Sequence, residues 1–400
     1  MEPQETGPLP VQSYILKVAS RCNLNCSYCY VYNKGDLSYK DQPVRMSPRV
    51  VEATIDRVRR HCLRHDLKTV EFIFHGGEPL LAGKEFFRNF IKAAKNALPT
   101  DVEPSFNMQT NGALLDAEWL DLLADVGIGF GISLDGPKEI HDRNRVDHAG
   151  RGSFDQVRRA IDLALNHGRA RQLFGGLLTV VNLEMDPAEA YRFYRGLGVP
   201  GVDFLLPDGH FGSLPPRISL EGNSAPYGDW LIRVFEKWFE EGDSSFHIRF
   251  FENIMDLLFG GLKTTDYIGG AQNSTVVVET DGGLEPLDVL KICGDRFTKV
   301  GYSVLTNDID DVNGSALVRK YQSGKDGASL SDKCRRCRVV DVCGGGYLPH
   351  RFNPKTGFNN PSVYCRDLER LISHIRERML STIPVGVRHK LGFAAQAAVA

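Results

Sequence analysis

Six β-rich runs alternate with amphipathic stretches of helical period between about residues 12 and 207, and this alternation limits the fold more than any other feature. Short strands separated by helices are typical of repeated βα units, in which the strands lie parallel in one sheet. The predicted strands are 14–18, 70–74, 105–109, 129–134, 174–181 and 202–206. Six units are too few to close an eight-stranded barrel, so we expect an α/β fold with a partial (β/α)6 TIM-like barrel or an open doubly wound sheet.

The helical stretches and the second half of the chain complete this outline. Apolar side chains recur at helical spacing from Val51 to Cys62, and Ser47 before Pro48 predicts the start of that helix. Later elements are predicted as a loop at 207–223, helices near 227–239, 252–259 and 368–379, and a hairpin at 275–287. The expected organisation is an N-terminal segment at 1–11, a barrel at 12–220, bridging helices at 221–270, a small C-terminal domain at 271–380 and a loosely held tail at 381–400.

Whether the nine cysteines form disulfides or bind metal depends on the cellular compartment of the protein. A formal net charge of −2 argues against a nucleic-acid surface made of net positive charge. The chain contains no apolar run of the ~18–20 residues that cross a bilayer, and its start lacks the basic and apolar regions of a signal peptide. We expect a cytoplasmic protein with neither a membrane nor nucleic acid as its partner. In that reducing compartment an odd set of cysteines favours metal or cluster ligation over disulfides.

The first group of cysteines follows directly on the first predicted strand. Cys22, Cys26 and Cys29 have the spacing C-x3-C-x2-C, with Tyr28 between the last two. Three thiolates satisfy three irons of a [4Fe–4S] cluster and leave the fourth iron without a protein ligand, and an open metal position is where chemistry takes place. The alternatives are a zinc site with a distant fourth ligand, or three cysteines packed as small apolar residues.

This motif resembles that of the radical S-adenosylmethionine (SAM) enzymes. The resemblance implies that Cys22, Cys26 and Cys29 hold a [4Fe–4S] cluster whose open iron binds SAM, and that Tyr28 borders the adenine. It also implies reductive cleavage of SAM to a 5′-deoxyadenosyl radical that abstracts a hydrogen atom from the substrate. The electron is then expected from an external donor of the flavodoxin or ferredoxin type.

Further candidate residues follow the second strand, where a partial barrel is expected to carry functional groups. Gly76 and Gly77 would let backbone approach a ligand closely, which suits an ammonium group next to Glu78. The segment also reads as an ordinary strand-end turn. The resemblance assigns it to the methionine amino group of SAM.

Polar residues also follow the third and fourth strands. Gln109 and Ser133 match positions that contact the methionine carboxylate or the ribose in the resembled family, and Asn111 lies in the same loop as Gln109. Arg145 is a candidate for the carboxylate by its charge. A surface arginine is the equally simple alternative.

The second group contains four thiols, at Cys334, Cys337, Cys343 and Cys365. Four thiols close either a tetrahedral zinc or a second [4Fe–4S] cluster, and the spacing alone does not choose between them. Because the first motif is also present, the region resembles the SPASM domain of radical enzymes that act on peptides and proteins. That family has further cysteines where this chain has Leu287 and Tyr347. Two ligands of an additional cluster are therefore absent, and we predict one auxiliary [4Fe–4S] cluster in a small SPASM-like domain after the barrel.

The segments 74–81, 343–351 and 357–365 resemble those of maturases that build three-residue cyclophanes in ribosomally made peptides. The resemblance implies a ribosomally synthesised precursor peptide as substrate. The enzyme would remove a Cβ hydrogen and join that carbon to an aromatic ring. Asp288 aligns with the base of sulfatase maturases and is the candidate catalytic base, with a solvated hairpin aspartate as the alternative.

Other functions stay open. Anaerobic sulfatase maturases, which form formylglycine, share the barrel and the SPASM segment, although they typically have Gln where His75 stands and retain the additional cluster. Thioether-forming maturases belong to the same superfamily. From another class, a zinc-stabilised binding protein without redox chemistry also fits two cysteine groups.

Three residues among the later cysteines either line a peptide channel or are structural: Tyr347, His350 and Arg351. Cys62 occupies a core-facing helical position and is expected to pack there. His61 and His65 make a poor metal pair on sequence grounds, because only Asp66 follows as a nearby third ligand.

Overall fold

The computed structural model describes residues 9–262, 265–270, 273–322 and 330–383, and the tail predicted at 381–400 lies outside them from residue 384 onward. The strands are β1 (Ser13–Ala19), β2 (Thr69–Gly76), β3 (Glu103–Thr110), β4 (Gly129–Ser133), β5 (Phe174–Val180), β6 (Gly201–Leu205), β7 (His247–Ile248), β8 (Thr275–Val278), β9 (Gly283–Glu285) and β10 (Tyr302–Ser303). They form one sheet in the order β10-β9-β8-β1-β2-β3-β4-β5-β6-β7.

The central six strands confirm the predicted barrel. Strands β1 to β6 are parallel, and each pairs with its neighbour in the chain. Every predicted strand overlaps one of them. Because all carboxyl ends of parallel strands lie at one edge, the loops that leave β1 to β6 meet there. The fold is a partial (β/α)6 barrel with a C-terminal cysteine-rich region.

The sheet extends further than the six predicted strands. The hairpin predicted at 275–287 is present as β8 and β9, which are antiparallel to each other. However, β8 also pairs parallel with β1, so that the hairpin covers the edge of the barrel sheet. An uncovered β1 would leave a row of backbone groups without partners. One sheet therefore contains strands from both the predicted barrel and the predicted C-terminal domain, and the predicted domain limits stay a prediction.

Helices flank the sheet and follow the strands in sequence. They are α1 (Pro48–His65), α2 (Lys84–Ala97), α3 (Ala117–Val126), α4 (Lys138–Asn144), α5 (Phe154–Asn166), α6 (Pro187–Gly196), α7 (Pro226–Glu241), α8 (Arg249–Leu258), α9 (Ala316–Gln322), α10 (Asp332–Arg335), α11 (Val340–Cys343) and α12 (Cys365–Thr382). Helix α1 begins as predicted: the Ser47 hydroxyl accepts a hydrogen bond from the Val50 amide, and Pro48 is the first helical residue.

Aromatic side chains fill the core between the sheet and its helices. Phe72 and Phe106 stack with ring centroids 5.7 Å apart, and Phe90 meets Phe72 edge-on at 5.3 Å. Burying one such side chain stabilises the fold by about 1.5–3 kcal/mol. Helix α12 packs on α7 through the perpendicular rings of Tyr227 and Tyr364, 5.2 Å apart. This contact joins the cysteine-rich region to the bridging helices.

Among the helices of the described segments, none combines the length and the apolar character that crossing a membrane requires.

Candidate functional site

A cavity of about 350 Å³ opens at the carboxyl ends of the parallel strands, and we call it the barrel cavity. Residues from the loops or ends of all six strands line it, among them Cys22, His75, Gln109, Ser133, Val180 and Asp208. Leu287, Asp288 and Val289, which follow β9, complete the wall. Many of the candidate residues that the sequence places after different strands therefore lie together at this edge.

The three thiols of the first motif all line the barrel cavity. The Cys22 sulfur accepts contacts from the Leu24 amide at 3.4 Å and from the Asn111 side chain at 3.6 Å. Burial raises the pKa of the Cys22 thiol to about 12 and that of Cys26 to about 11. Iron binds thiolates, so loading a cluster here releases protons. Three half-buried thiols with no fourth cysteine in the cavity wall fit a [4Fe–4S] cluster with one open iron.

Gly76 and Gly77 also line the cavity, but the packing around them leaves no room for a side chain at either position. A Cβ on Gly76, whose φ is +146°, would lie 2.2 Å from the Ala19 carbonyl oxygen. A Cβ on Gly77 would lie 2.0 Å from the Tyr32 hydroxyl oxygen and 2.4 Å from the Arg21 carbonyl oxygen. The glycines therefore let the end of β2 approach the cysteine loop, a role that the sequence argument did not give them.

Glu78 is fully buried and is not among the residues that line the cavity. Its carboxylate accepts hydrogen bonds from the Thr110 hydroxyl at 2.7 Å, the Asn111 amide at 2.8 Å and the Leu80 amide at 3.1 Å. Burial raises the pKa of Glu78 to about 7, and these hydrogen bonds act in the opposite direction. Glu78 thus ties the loop after β2 to the end of β3, whereas the sequence suggested direct contact with a ligand's ammonium group.

The predicted residues after β3 and β4 do meet at the cavity wall. The Gln109 amide donates to the Ser133 hydroxyl at 3.0 Å. The side-chain amide of Asn111 donates to the side-chain oxygen of Asn23, which lies within the first cysteine motif, at 2.8 Å. A polar wall thus faces the three thiols, as a ligand with amino, carboxylate and hydroxyl groups requires.

Arg145 lines the cavity beside Tyr28, but it already has a partner. Its Nε donates to the Asp135 carboxylate at 2.9 Å, and its guanidinium lies 5.5 Å from the centroid of the Tyr28 ring. The Tyr28 hydroxyl donates to the same carboxylate. The buried pair leaves less positive charge for a ligand carboxylate than an unpaired arginine would. The surface alternative for Arg145 is wrong, because its side chain is only 11% exposed.

Asp288 is buried in the wall of the barrel cavity, so the alternative of a solvated hairpin aspartate is wrong. Its carboxylate forms an ion pair with the Lys17 ammonium and accepts a hydrogen bond from the Tyr30 hydroxyl at 2.6 Å. Burial by itself would raise the pKa of Asp288, but the Lys17 charge and these hydrogen bonds outweigh burial and hold it well below its usual range. Lys17 Nζ also lies 3.0 Å from His75 Nδ1, and burial lowers the pKa of His75 to about 4. The neutral His75 ring therefore accepts from Lys17.

The four later thiols surround a separate cavity of about 360 Å³, which we call the auxiliary pocket. They come from α10, its C-terminal flank, α11 and the start of α12: Cys334, Cys337, Cys343 and Cys365. Charged side chains also line the pocket: Lys333, Arg336, Arg338 and Glu369. Burial, with a smaller contribution from the neighbouring thiols, raises the pKa of Cys343 to about 12. Four converging thiols fit a closed site, either zinc or a second cluster.

The three residues between these cysteines divide into two groups. Tyr347 and His350 line the barrel cavity, and His350 Nε2 lies 3.6 Å from Asp208. Arg351 instead donates to the backbone carbonyls of Phe358 and Asn360, at 3.0 and 3.1 Å. Arg351 therefore links these two backbone positions, whereas Tyr347 and His350 face the barrel cavity.

The sequence argument missed Lys17, Tyr30 and Asp135. Lys17 carries the clearest signal, since a lysine inside the apolar strand β1 is buried only when it is paired. Tyr30 follows Cys29 directly, and Asp135 follows the end of β4. Their positions fit a site, but Tyr30 contacts Asp288, 258 positions away, and Asp135 contacts Tyr28, 107 positions away.

The geometry defines a class of proteins: iron–sulfur enzymes built on a partial barrel, with an open cluster position in a polar cavity. A model of the radical SAM superfamily matches residues 16–193. A cysteine-type anaerobic sulfatase-maturating enzyme of Clostridium perfringens is 25% identical over 384 residues, 93% of this chain and 98% of that enzyme.

Two solved structures show the same fold. Native anSMEcpe with bound AdoMet and Kp18Cys peptide has a TM-score of 0.78 at 23% identity, covering 93% of this chain and 99% of that one. Streptococcus suis SuiB bound to precursor peptide SuiA has a TM-score of 0.56 at 14% identity, covering 90% and 76%. Residues 16–193 thus form a radical SAM domain, and the protein uses a [4Fe–4S] cluster and SAM.

Proposed function

We propose that this enzyme oxidises a side chain of a peptide or protein by two electrons, as a radical SAM maturase of the sulfatase-maturating type. The observation that carries the proposal is the buried Asp288 carboxylate in the same cavity as the three cluster thiols. Similarity to a sulfatase-maturating enzyme over 93% of the chain supports this type. Resemblance of short segments favoured cyclophane formation, whereas similarity over most of the chain favours the sulfatase-maturating type.

Cys22, Cys26 and Cys29 would hold the catalytic cluster, and the auxiliary pocket would hold the second. When bound, the first cluster with SAM supplies a radical that removes a hydrogen atom, and the second cluster supplies an acceptor for the electron that follows. The remaining proton is handled by the chain's own residues.

Asp288 is suited to take that proton at a carboxylate oxygen. Its low pKa keeps it ionised, so that a lone pair is available at neutral pH. A low pKa also makes it a weak base, but a substrate that has already lost a hydrogen atom is far more acidic than its parent. Lys17 and Tyr30 hold the carboxylate in place.

Cyclophane formation is the second candidate, and one observation favours it. Leu287 and Tyr347 stand where the resembled sulfatase-type pattern has cysteines, and both pack in an apolar cluster with Leu290, Tyr321, Leu348 and Phe358. Within the described residues, Cys293 is the single cysteine packed against this cluster. One thiol does not hold an additional cluster, so we expect two [4Fe–4S] clusters and about eight irons per chain. A third cluster would raise the count to about twelve.

Two peptides separate the candidates. Anaerobically prepared, cluster-loaded enzyme is given SAM, a reductant and either a sulfatase-derived cysteine peptide or an aromatic-x-polar peptide encoded beside the enzyme. Formylglycine formation exchanges the elements of hydrogen sulfide for a carbonyl oxygen and leaves a hydrazide-reactive aldehyde. A crosslink removes two hydrogen atoms, leaves no aldehyde and suppresses fragmentation between the joined residues. Formation of 5′-deoxyadenosine without a change in either peptide, or in a co-expressed native precursor, contradicts side-chain oxidation.

The role of Asp288 has its own test. Asp288→Asn should lower product formation by about 100-fold or more, since a positioned base contributes 10²–10⁴ in rate. Formation of 5′-deoxyadenosine should persist. Asp281→Asn, in the turn of the same hairpin, is the matched control and should leave both rates unchanged. Full product formation by Asp288→Asn at the wild-type rate would remove Asp288 from the mechanism.

A further inference from the structure

A third group of potential metal ligands lies where α1 meets the segment after β10. His61 and His65 are four residues apart on α1, so both rings lie on one face of the helix. Asp310, which is 245 residues beyond His65, faces them from the turn at Ile309–Gly314. None of the three residues lines the barrel cavity or the auxiliary pocket. The local sequence offers only Asp66 as a nearby third ligand, whereas the fold brings Asp310 to the two histidines.

The distances match a metal site. Asp310 Oδ1 lies 3.1 Å from His61 Nδ1 and 2.9 Å from His65 Nε2. One ligand atom from each residue lies within 4.8 Å of the others. Bonds of about 2.0–2.1 Å to a tetrahedral zinc separate its ligand atoms by roughly 3.3 Å. The three groups can thus bind one ion with small movements.

His61 gives an independent reason to expect a ligand. Its side chain is 1% exposed, yet neither ring nitrogen has a hydrogen-bond partner among the described residues. The contact with Asp310 is close, but it lacks the alignment of a hydrogen bond. A buried polar atom without a partner costs about 1–3 kcal/mol, and such atoms call for an explanation. A metal ion on His61 Nδ1 would satisfy that atom.

The surroundings orient the carboxylate. Arg64 donates to Asp310 Oδ2 at 2.6 Å, which leaves Oδ1 directed to the histidines. Arg64 and Arg57 also donate hydrogen bonds to Asp308, and Arg60 forms an ion pair with it. Such outer partners fix the orientation of metal-binding groups. The Asp308 carboxylate offsets part of the arginine charge that faces a bound cation.

We propose that His61, His65 and Asp310 form a binding site for a divalent transition metal of the zinc type, and that the ion fastens α1 to the segment that leads into the cysteine-rich region. Imidazole and carboxylate are ligands that zinc accepts. His65 and Asp310 have side chains that are 30% and 26% exposed, so a water molecule can reach a fourth position. The site is independent of the proposed function.

The test uses the full chain with both clusters loaded, so that iron occupies the cluster cysteines. Zinc is added after chelator treatment that leaves iron unchanged, and bound zinc is measured against a competing chromophoric chelator. Wild type should bind one zinc per chain at this site. His65→Ala should weaken binding by more than 100-fold, because losing even an outer partner of a metal site costs 10–100-fold. His247→Ala, which removes an exposed histidine paired with Glu252, should bind zinc like wild type.

The ligand type gives a second readout. X-ray absorption at the zinc edge should show nitrogen and oxygen at about 2.0–2.1 Å and no sulfur at about 2.3 Å. Zinc also should raise the unfolding temperature of wild type and of His247→Ala, but not that of His65→Ala. Three results would each overturn the proposal. Wild type would bind no zinc, or His65→Ala with unchanged iron and helix content would bind zinc as tightly as wild type. The third result would be sulfur among the zinc ligands.

Discussion

The two cysteine sites use the same ligand atom in different surroundings. In the barrel cavity, three thiols face a wall of amide, hydroxyl, guanidinium and carboxylate groups. In the auxiliary pocket, four thiols face one another, with charged side chains around them. The count of thiols decides whether an iron stays open, and the polar wall decides what can bind to it. Three thiols beside a polar wall suit a site that reacts, whereas four converging thiols suit a site that holds its group closed.

The sharpest way to test this difference is to remove one thiol from the open site. Cys26→Ala should abolish both SAM cleavage and product formation, because two thiols do not hold the cluster that the reaction needs. Iron content should fall from about eight to about four per chain. Iron, sulfide and 5′-deoxyadenosine are measured together. Cys62→Ala, which changes a buried thiol in the core, is the control and should retain iron and SAM cleavage.

Removing one thiol from the closed site should have a different effect. Cys365→Ala leaves three thiols in the auxiliary pocket and one iron of its cluster without a protein ligand, but SAM cleavage should continue, since the barrel cavity is unchanged. Product formation should fall by about 100-fold or more if the second cluster accepts the electron. Liquid chromatography measures 5′-deoxyadenosine and mass spectrometry measures the modified peptide, which together give the ratio of SAM cleavage to product formation. If Cys365→Ala lost both activities, the two sites would not be separable.

Next in size is the charge pair in the wall of the barrel cavity. Lys17→Met leaves the Asp288 carboxylate buried without its cation, which costs about 3–5 kcal/mol in the free energy of unfolding. Adding Asp288→Asn to Lys17→Met should restore most of this loss. Denaturant unfolding under anaerobic conditions measures both.

The pH dependence of the same pair has a definite sign. Because the pKa of Asp288 is lowered in the folded state, its stabilisation is present above the unfolded carboxyl pKa of about 3.9 and is lost as the pH falls through the lower folded value. Lys17→Met should show less loss of stability in this acidic range than wild type. Identical stability of the variant and wild type at neutral pH would show that the pair contributes nothing.

The smallest effect is expected at Asp135. Asp135→Asn removes the charge partner of Arg145 and weakens the hold on Tyr28. Loss of one hydrogen bond to a charged group is worth about 1.5–3 kcal/mol, so SAM affinity should change by about tenfold or more. Binding is measured by equilibrium dialysis with labelled SAM. Asp155→Asn, at an exposed pair with Lys138, should leave the affinity unchanged. Unaltered affinity in Asp135→Asn would mean that this network does not touch the SAM site.

Much of the fold could be predicted because its signals are local. The six strands follow from runs of β-forming residues, and the start of α1 follows from Ser47 and Pro48. The cysteine groups could also be read directly, since C-x3-C-x2-C places three thiols on one loop. The pairing of β8 with β1 could not be predicted in this way. Strand pairing between segments so far apart depends on the whole sheet and leaves no local pattern.

The side-chain partners show the same limit. Gly76 and Gly77 are recognisable as glycines that permit close approach, but only the structure shows that the close neighbours are Ala19 and the cysteine loop. Asp288 could be singled out by resemblance, whereas its ion pair with Lys17 joins residues 271 positions apart.

The sequence by itself determined the parallel strands, the two sets of thiols and the edge of the barrel at which the first set lies. These features depend on hydrophobic periodicity and short spacings, which act within one segment of chain. Only the tertiary structure decided which charges are paired, that Glu78 supports a loop and that Asp310 meets His61 and His65. Such contacts arise from packing distant segments together, where burial and charge are set by neighbours that no local pattern specifies.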